Sequence, residues 1–266
     1  MILQFFSQDV NDNEFKMLME EETERAENIE AEALDEARQY AVAFVWTLVG
    51  FGLGLVAAKA VAAVCKPSSP IVQLLLGLLP FQVMAPLAAF FALRGMAARK
   101  GWRQTVEWDV PRLTGRLAFR INAVLFVLCL FCSISINCIS QAVCEKFGIP
   151  FEEQSLIQMA HGNTSLLFWG IAFFSVMILA PCMEECLYRQ VLFKALEGAL
   201  HRRWAAAVLT SLCFAAAHGV WPMVPALFVL GMLFQEAKRR GGLRQSILLH
   251  SCYNGFMLAL VLMFDK

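Results

Sequence analysis

Six long apolar stretches run through this chain, and the thickness of a lipid bilayer decides what they can become: Tyr40–Val64, Ile71–Leu93, Leu117–Ser140, Leu166–Ala199, Trp204–Phe234 and Leu243–Phe264. A helix needs roughly 20 mostly apolar residues to cross about 30 Å of hydrocarbon. The stretches meet that length, so the expected fold is all-α: a polytopic transmembrane helix bundle of about seven to eight membrane helices. Leu166–Ala199 is too long for one straight span and is interrupted by Pro181. Trp204–Phe234 carries a turn signal at Gly219 and Pro222. Each of its halves reaches only about 22 Å, which places that turn inside the membrane or in a thinned region.

Charge is sparse and unevenly placed. The chain of 266 residues is 59% apolar and 17% charged, against about 45–50% apolar for a typical soluble domain. Residues 1–38 hold twelve of the twenty-two acidic residues and three basic ones. Residues 1–39 therefore read as an acidic, helical N-terminal segment on the cytoplasmic side, and residues 40–266 as the transmembrane domain. No basic region followed by an apolar core and a cleavage site opens the sequence, so insertion is expected to begin at the first span. With the N-terminus cytoplasmic, the Arg-rich connection 94–116, His201-Arg202-Arg203 and Lys238-Arg239-Arg240 all fall on the cytoplasmic side, as the bias of Lys and Arg requires. That fit needs Leu166–Ala199 to cross once, as one long kinked element. Residues 141–165 are expected to form a mildly acidic loop with Glu145, Glu152 and Glu153. The nine cysteines show no disulfide framework and read as free thiols; Cys129-x-x-Cys132 lacks a second ligand pair for zinc.

Against this background several residues are out of place. Glu184, Glu185 and Arg189 lie in an apolar run, where each charge near a span centre costs about 2.5–3.5 kcal/mol on insertion scales. Glu185 and Arg189 are spaced i and i+4 with the acid first, the favoured order for an ion pair. Glu184 points about 100° away and lacks that partner. A carboxylate in such a setting suits a general base, whereas a structural Glu/Arg lock would explain the motif without chemistry. His218 ends the run Phe214-Ala-Ala-Ala-His218, and His250 and Asn254 share one helix face. Glu184 lies eighteen residues before Arg202 and His218 sixteen after, which sets the two at similar depth; His250 is about nine residues beyond its own basic turn and fits that ruler less well.

Glu184-Glu185-Cys-Leu-Tyr-Arg189, Phe214-Ala-Ala-Ala-His218 and His250-Ser-Cys-Tyr-Asn254 resemble, in order and approximate spacing, the EExxxR, FxxxH and HxxxN motifs of the CPBP intramembrane proteases, which include the CAAX prenyl endopeptidases and bacterial Abi proteins. The resemblance covers roughly residues 165–262, the expected catalytic core. It implies an endopeptidase of the CAAX-processing type, hydrolysing a peptide bond of a membrane-associated protein or peptide. Glu184 and His218 would activate a water, His250 and Asn254 would stabilise the oxyanion, and Glu185 and Arg189 would shape the site. A zinc ion held by Glu184, His218 and His250 is the metal-dependent alternative, although none of these donors follows H-E-x-x-H spacing. The implied partners are the membrane and a peptide or membrane-anchored substrate, with no nucleic acid, and the implied place is a bacterial inner membrane. The alternative from another class is a non-proteolytic immunity or scaffold protein that keeps the fold. A solute transporter ranks lower, because no inverted repeat is evident.

Overall fold

A computed structural model describes residues 12–108, 115–150 and 165–264. Arg112, Glu152 and Glu153, and the greater part of the acidic loop expected over 141–165, lie outside the described residues. Among those described, every regular element is helical.

The first helix, α1, runs unbroken from Asp12 to Cys65. It thus passes through residues 39 and 40 without a joint between the acidic segment and the first span. Helix α2 (Pro70–Leu78) continues through a π-helical stretch, Leu79–Met84, into α3 (Ala85–Lys100). A proline removes a backbone donor, and its ring crowds the carbonyl four residues earlier. For Pro86 that residue is Gln82, inside the widened turns. The pair bends by 44° between its halves. Gly50 and Gly54 let α1 lie directly on this bend: a Cβ there would stand 2.6 Å from the Met84 carbonyl oxygen and 2.5 Å from the Pro80 Cα. Small residues four apart are the usual means by which membrane helices approach this closely.

A short helix, α4 (Trp102–Thr105), precedes α5 (Gly115–Phe147). Next comes α6, a single helix from Leu166 to Leu200. The expectation of one element is met, and its turns are not uniform. Two π-helical stretches, Ser175–Leu179 and Glu185–Leu192, interrupt its α-helical turns. The first holds Met177, the carbonyl that Pro181 would otherwise crowd. The second contains no proline and carries Glu185 and Arg189. Widened turns of this kind are frequent at functional sites.

Helix α7 (Arg203–Ala217) and α8 (Val224–Gly241) form the expected short hairpin, turning at Gly219, whose φ is +71°, and a single 3₁₀ turn over Trp221–Met223. Helix α9 (Leu243–Phe264) closes the bundle. By length and composition, four helices among the described residues can cross a membrane, or up to five counting the bent pair. The α7–α8 hairpin and that pair separate this number from the seven to eight expected. The surfaces of α1 and α5 expose Val45, Trp46, Val49, Leu53, Val124, Val127 and Phe131, as lipid-facing helices do. The core gathers around Leu192, Phe214, Leu230, Phe234, Leu249 and Tyr253, and thus lies between α6, α7, α8 and α9. The chain is a multi-pass membrane protein.

Candidate active site

The charged residues of α6 meet α9 inside this core. Glu185 and Arg189 are both fully buried, and Arg189 Nε stands 3.3 Å from Glu185 Oε2. The ion pair expected from their spacing is present. The guanidinium makes no hydrogen bond. It lies instead 4.6 Å from the ring centroid of Phe214 and 5.8 Å from that of Phe234. Aromatic faces attract a cation electrostatically, and more strongly where water is excluded.

Glu185 has two further partners. His250 Nδ1 approaches its Oε1 at 2.8 Å, and the hydroxyl of Ser246 donates to Oε2 and also lies 2.8 Å from the Phe234 carbonyl oxygen. Ser246 and His250 are i and i+4 on α9, so one helix face presents both. A carboxylate accepts, so Nδ1 of His250 carries the proton in this bond. The ring stacks on Phe234, with centroids 4.4 Å apart and planes 19° apart, which fixes its orientation. Its other nitrogen, Nε2, faces Glu184 Oε2 at 3.8 Å.

Glu184 is less engaged than its neighbour Glu185. Its Oε2 is buried without a hydrogen-bond partner. Together with His218, Tyr188 and Leu187 it lines a cavity of about 480 Å³ walled on its far side by Phe44, Thr47, Leu48 and Phe51 of α1. His218 follows the last turn of α7, and its Nδ1 is 2.8 Å from the Phe214 carbonyl oxygen. A carbonyl cannot donate, so His218 carries its proton on Nδ1 and presents an accepting Nε2 when neutral. Asn254 lies one turn beyond His250. Its Nδ2 donates to the carbonyl of Val176, 3.1 Å away in the first π-helical stretch of α6.

The structure therefore brings Glu184, Glu185, Arg189 and His250 together and sets His218 on the cavity that Glu184 borders. Asn254 is held against the α6 backbone rather than against another motif side chain. Ser246 escaped the sequence reading, although a serine four residues before His250 in an apolar helix was a legible signal. As a metal centre the set fits poorly. Among the described residues, no three His, Cys, Asp or Glu side chains converge to hold a metal, and Glu184, His218 and His250 do not form a ready ligand group. His250 Nδ1 and His218 Nδ1 are both engaged within the protein, which leaves Nε2 as the accepting nitrogen of each neutral ring. All nine cysteines are free, and Cys129 is buried among apolar side chains.

Comparison with known proteins agrees with the motifs. Residues 165–256 match the model of the Rce1-like family, type II CAAX prenyl endopeptidase Rce1-like. A stretch of 97 residues, 33% of this chain and 38% of the relative, is 33% identical to the membrane-embedded CAAX protease MroQ of Staphylococcus aureus. A stretch of 81 residues, 29% of this chain and 37% of the relative, is 35% identical to an uncharacterized 24.3 kDa protein of Escherichia coli. The match thus spans less than two-fifths of each relative's length, and no solved structure matches the chain. Residues 165–256, the stretch that is similar to type II CAAX prenyl endopeptidases of the Rce1-like family, hold all six motif residues.

Proposed function

We propose that this protein is an intramembrane endopeptidase of the CAAX-processing type that hydrolyses a peptide bond of a membrane-associated protein or peptide. The observation that carries this reading is the cavity shared by Glu184 and His218. Glu184 offers an unpaired carboxylate oxygen there, and the tautomer of His218 offers an accepting Nε2. Two acceptors can take the two hydrogens of one water and turn its lone pair toward a carbonyl carbon. Glu184 then receives the proton as attack proceeds, and can return it to the leaving amine.

The opposite face of the reacting carbonyl falls to α9. Asn254 has a second Nδ2 hydrogen beyond the one engaged by Val176. His250 donates from Nε2 when its ring carries both protons, a form flanked by Glu185 at Nδ1 and Glu184 at Nε2. Donors aimed at a developing oxyanion are each worth about 3 kcal/mol. Glu185, Arg189 and Ser246 hold the ring in place. In this reading the N-terminus and the basic connections face the cytoplasm of a bacterial cell, with the chain in the inner membrane.

The test compares new N-terminal peptide ends in cells carrying wild type with those in cells carrying Glu184→Gln. Ends that vanish with the variant, while its membrane level is unchanged, identify the substrate. A set of ends indistinguishable between the two strains would leave the non-proteolytic scaffold as the better description.

A further inference from the structure

Outside the cavity, a second polar cluster gathers at the end of α4 and on the residues that follow it. Thr105 is fully buried, and its carbonyl oxygen accepts from Tyr40 Oη of α1 at 2.6 Å and from Gln190 Nε2 of α6 at 2.7 Å. Two residues on, the Glu107 carboxylate bridges Lys194 Nζ of α6 at 2.6 Å and Lys238 Nζ of α8 at 2.9 Å. Its backbone is left-handed, φ +49°, a conformation rarely taken by a residue other than glycine. Such backbone persists where surrounding contacts over-determine it. The carbonyls of Glu107 and Trp108 accept from the amides of Leu243 and Arg244, at 2.9 and 3.0 Å. These are the first residues of α9, whose own turns cannot satisfy their N–H groups. Lys238 is 4% exposed, and besides Glu107 its Nζ donates to the Arg189 carbonyl oxygen at 2.9 Å.

These contacts tie the two helices of the site to one short segment. Arg189 is one π turn from Glu185, and Leu243 is two α turns from His250. A loop that fixes Arg189 through Lys238, and Leu243 through its own carbonyl, thereby fixes the axial offset between Glu185 and His250. We propose that residues 105–108 form a clasp that sets α9 against α6, with Lys238 as the positioning residue for the Glu185–His250 contact. Lys238 touches none of the reacting groups. Its effect on catalysis rests on the function proposed above, while its effect on the His250 hydrogen bond does not. A misplacement of about 1 Å, arising far from the chemistry, can lower a rate on the order of a hundredfold.

The chain has four histidines, which makes their imidazole N–H signals resolvable in ¹⁵N-histidine-labelled protein in lipid nanodiscs. The Nδ1–H of His250, bonded to a carboxylate, is expected far downfield and is assigned by its loss in His250→Gln. Lys238→Met is expected to shift or broaden that resonance and to lower kcat on the order of tenfold with KM little changed. Glu107→Gln moves both readouts the same way but less. The two substitutions together cost less than the sum of the singles, since each removes the same link. Arg240→Gln, whose ion pair with Glu236 stays within α8, leaves both readouts unchanged. A wild-type resonance that is absent, or one that Lys238→Met leaves unmoved while only lowering the melting temperature, would overturn the clasp. Wild-type protein that cleaves nothing yet shows the resonance and its shift would overturn the protease reading and sustain the clasp.

Discussion

Two polar clusters, one partly exposed and one deeply buried, sit on the same stretch of α6 and differ in how fully their charged groups are partnered. At the Glu107 cluster, both lysines have charged partners, and Lys238 and the Thr105 carbonyl oxygen each have two partners, while the neutral Oε1 of Gln190 has none. At the Glu184–Glu185 cluster, one carboxylate is triply engaged, while its neighbour in sequence keeps a buried oxygen with no hydrogen bond and the guanidinium makes none. An unpaired polar group away from water is costly unless something else occupies it. Saturation is what a structural joint needs. A deficit bordering a cavity is what a site that binds a reacting water and a peptide carbonyl needs.

That contrast can be broken by substitution. The largest effect is expected from Glu184→Gln: loss of general-base catalysis should reduce cleavage on the order of 10³-fold, with insertion and melting temperature near those of wild type. A variant that still cleaves at half the wild-type rate would remove Glu184 from the mechanism. Arg189→Ala should instead act on stability. It strands a fully buried carboxylate, at a cost of about 3 kcal/mol read from the denaturation midpoint. Pairing Arg189→Met with Glu185→Gln should recover much of that stability but not the cleavage rate, because His250 loses its carboxylate. Recovery of both would make the pair purely architectural.

Smaller effects sharpen the comparison. Ser246→Ala removes one donor to Glu185 and should cost about 1 kcal/mol, with activity reduced a few-fold. Glu107 offers a pH readout. Burial alone would raise its carboxyl, but Lys238 and Lys194 outweigh this and hold it down from 4.5 to about 2. The stability it lends is therefore complete above about pH 4.5 and is lost as pH falls toward 2. The melting-temperature gap between wild type and Glu107→Gln should accordingly be wide at pH 7 and narrow at pH 3. A gap independent of pH would mean that the carboxylate is not what holds the lysines.

Much of the site was readable because membrane-buried charge is so expensive. Glu184, Glu185 and Arg189 announced themselves by context, and i,i+4 spacing named the ion pair. The position of His250 was not readable from depth. Counting from the basic turn before α9 put it far shallower than Glu184, yet the two rings of polar groups meet. The ruler failed at its zero: Lys238, Gly241 and Leu243 are buried, and residues 107–108 cover that turn, so α9 begins beneath other parts of the protein. Nor could a sequence pattern show that α6 widens twice. Proline accounts for the first widening, whereas the second arises in a stretch without proline. The unbroken passage of α1 from its acidic turns into the span also left no local mark, since Arg38, Gln39 and Tyr40 are all compatible with helix.

The π-helical stretches of α6 have a consequence for how such a chain can vary. A widened turn holds one residue more than an α turn would. Deleting a single residue from Ser175–Leu179 would therefore leave a sound helix and an apolar span, and neither hydropathy nor helix content would register the loss. Because the widened turn would close to an α turn, the side chains beyond it would keep nearly their present facing relative to the carbonyl that anchors Asn254. A deletion in the α-helical turns that follow, Ala180–Glu184, has no such slack: it would turn every later side chain by about 100° and bring Glu185 to the facing that Glu184 now holds.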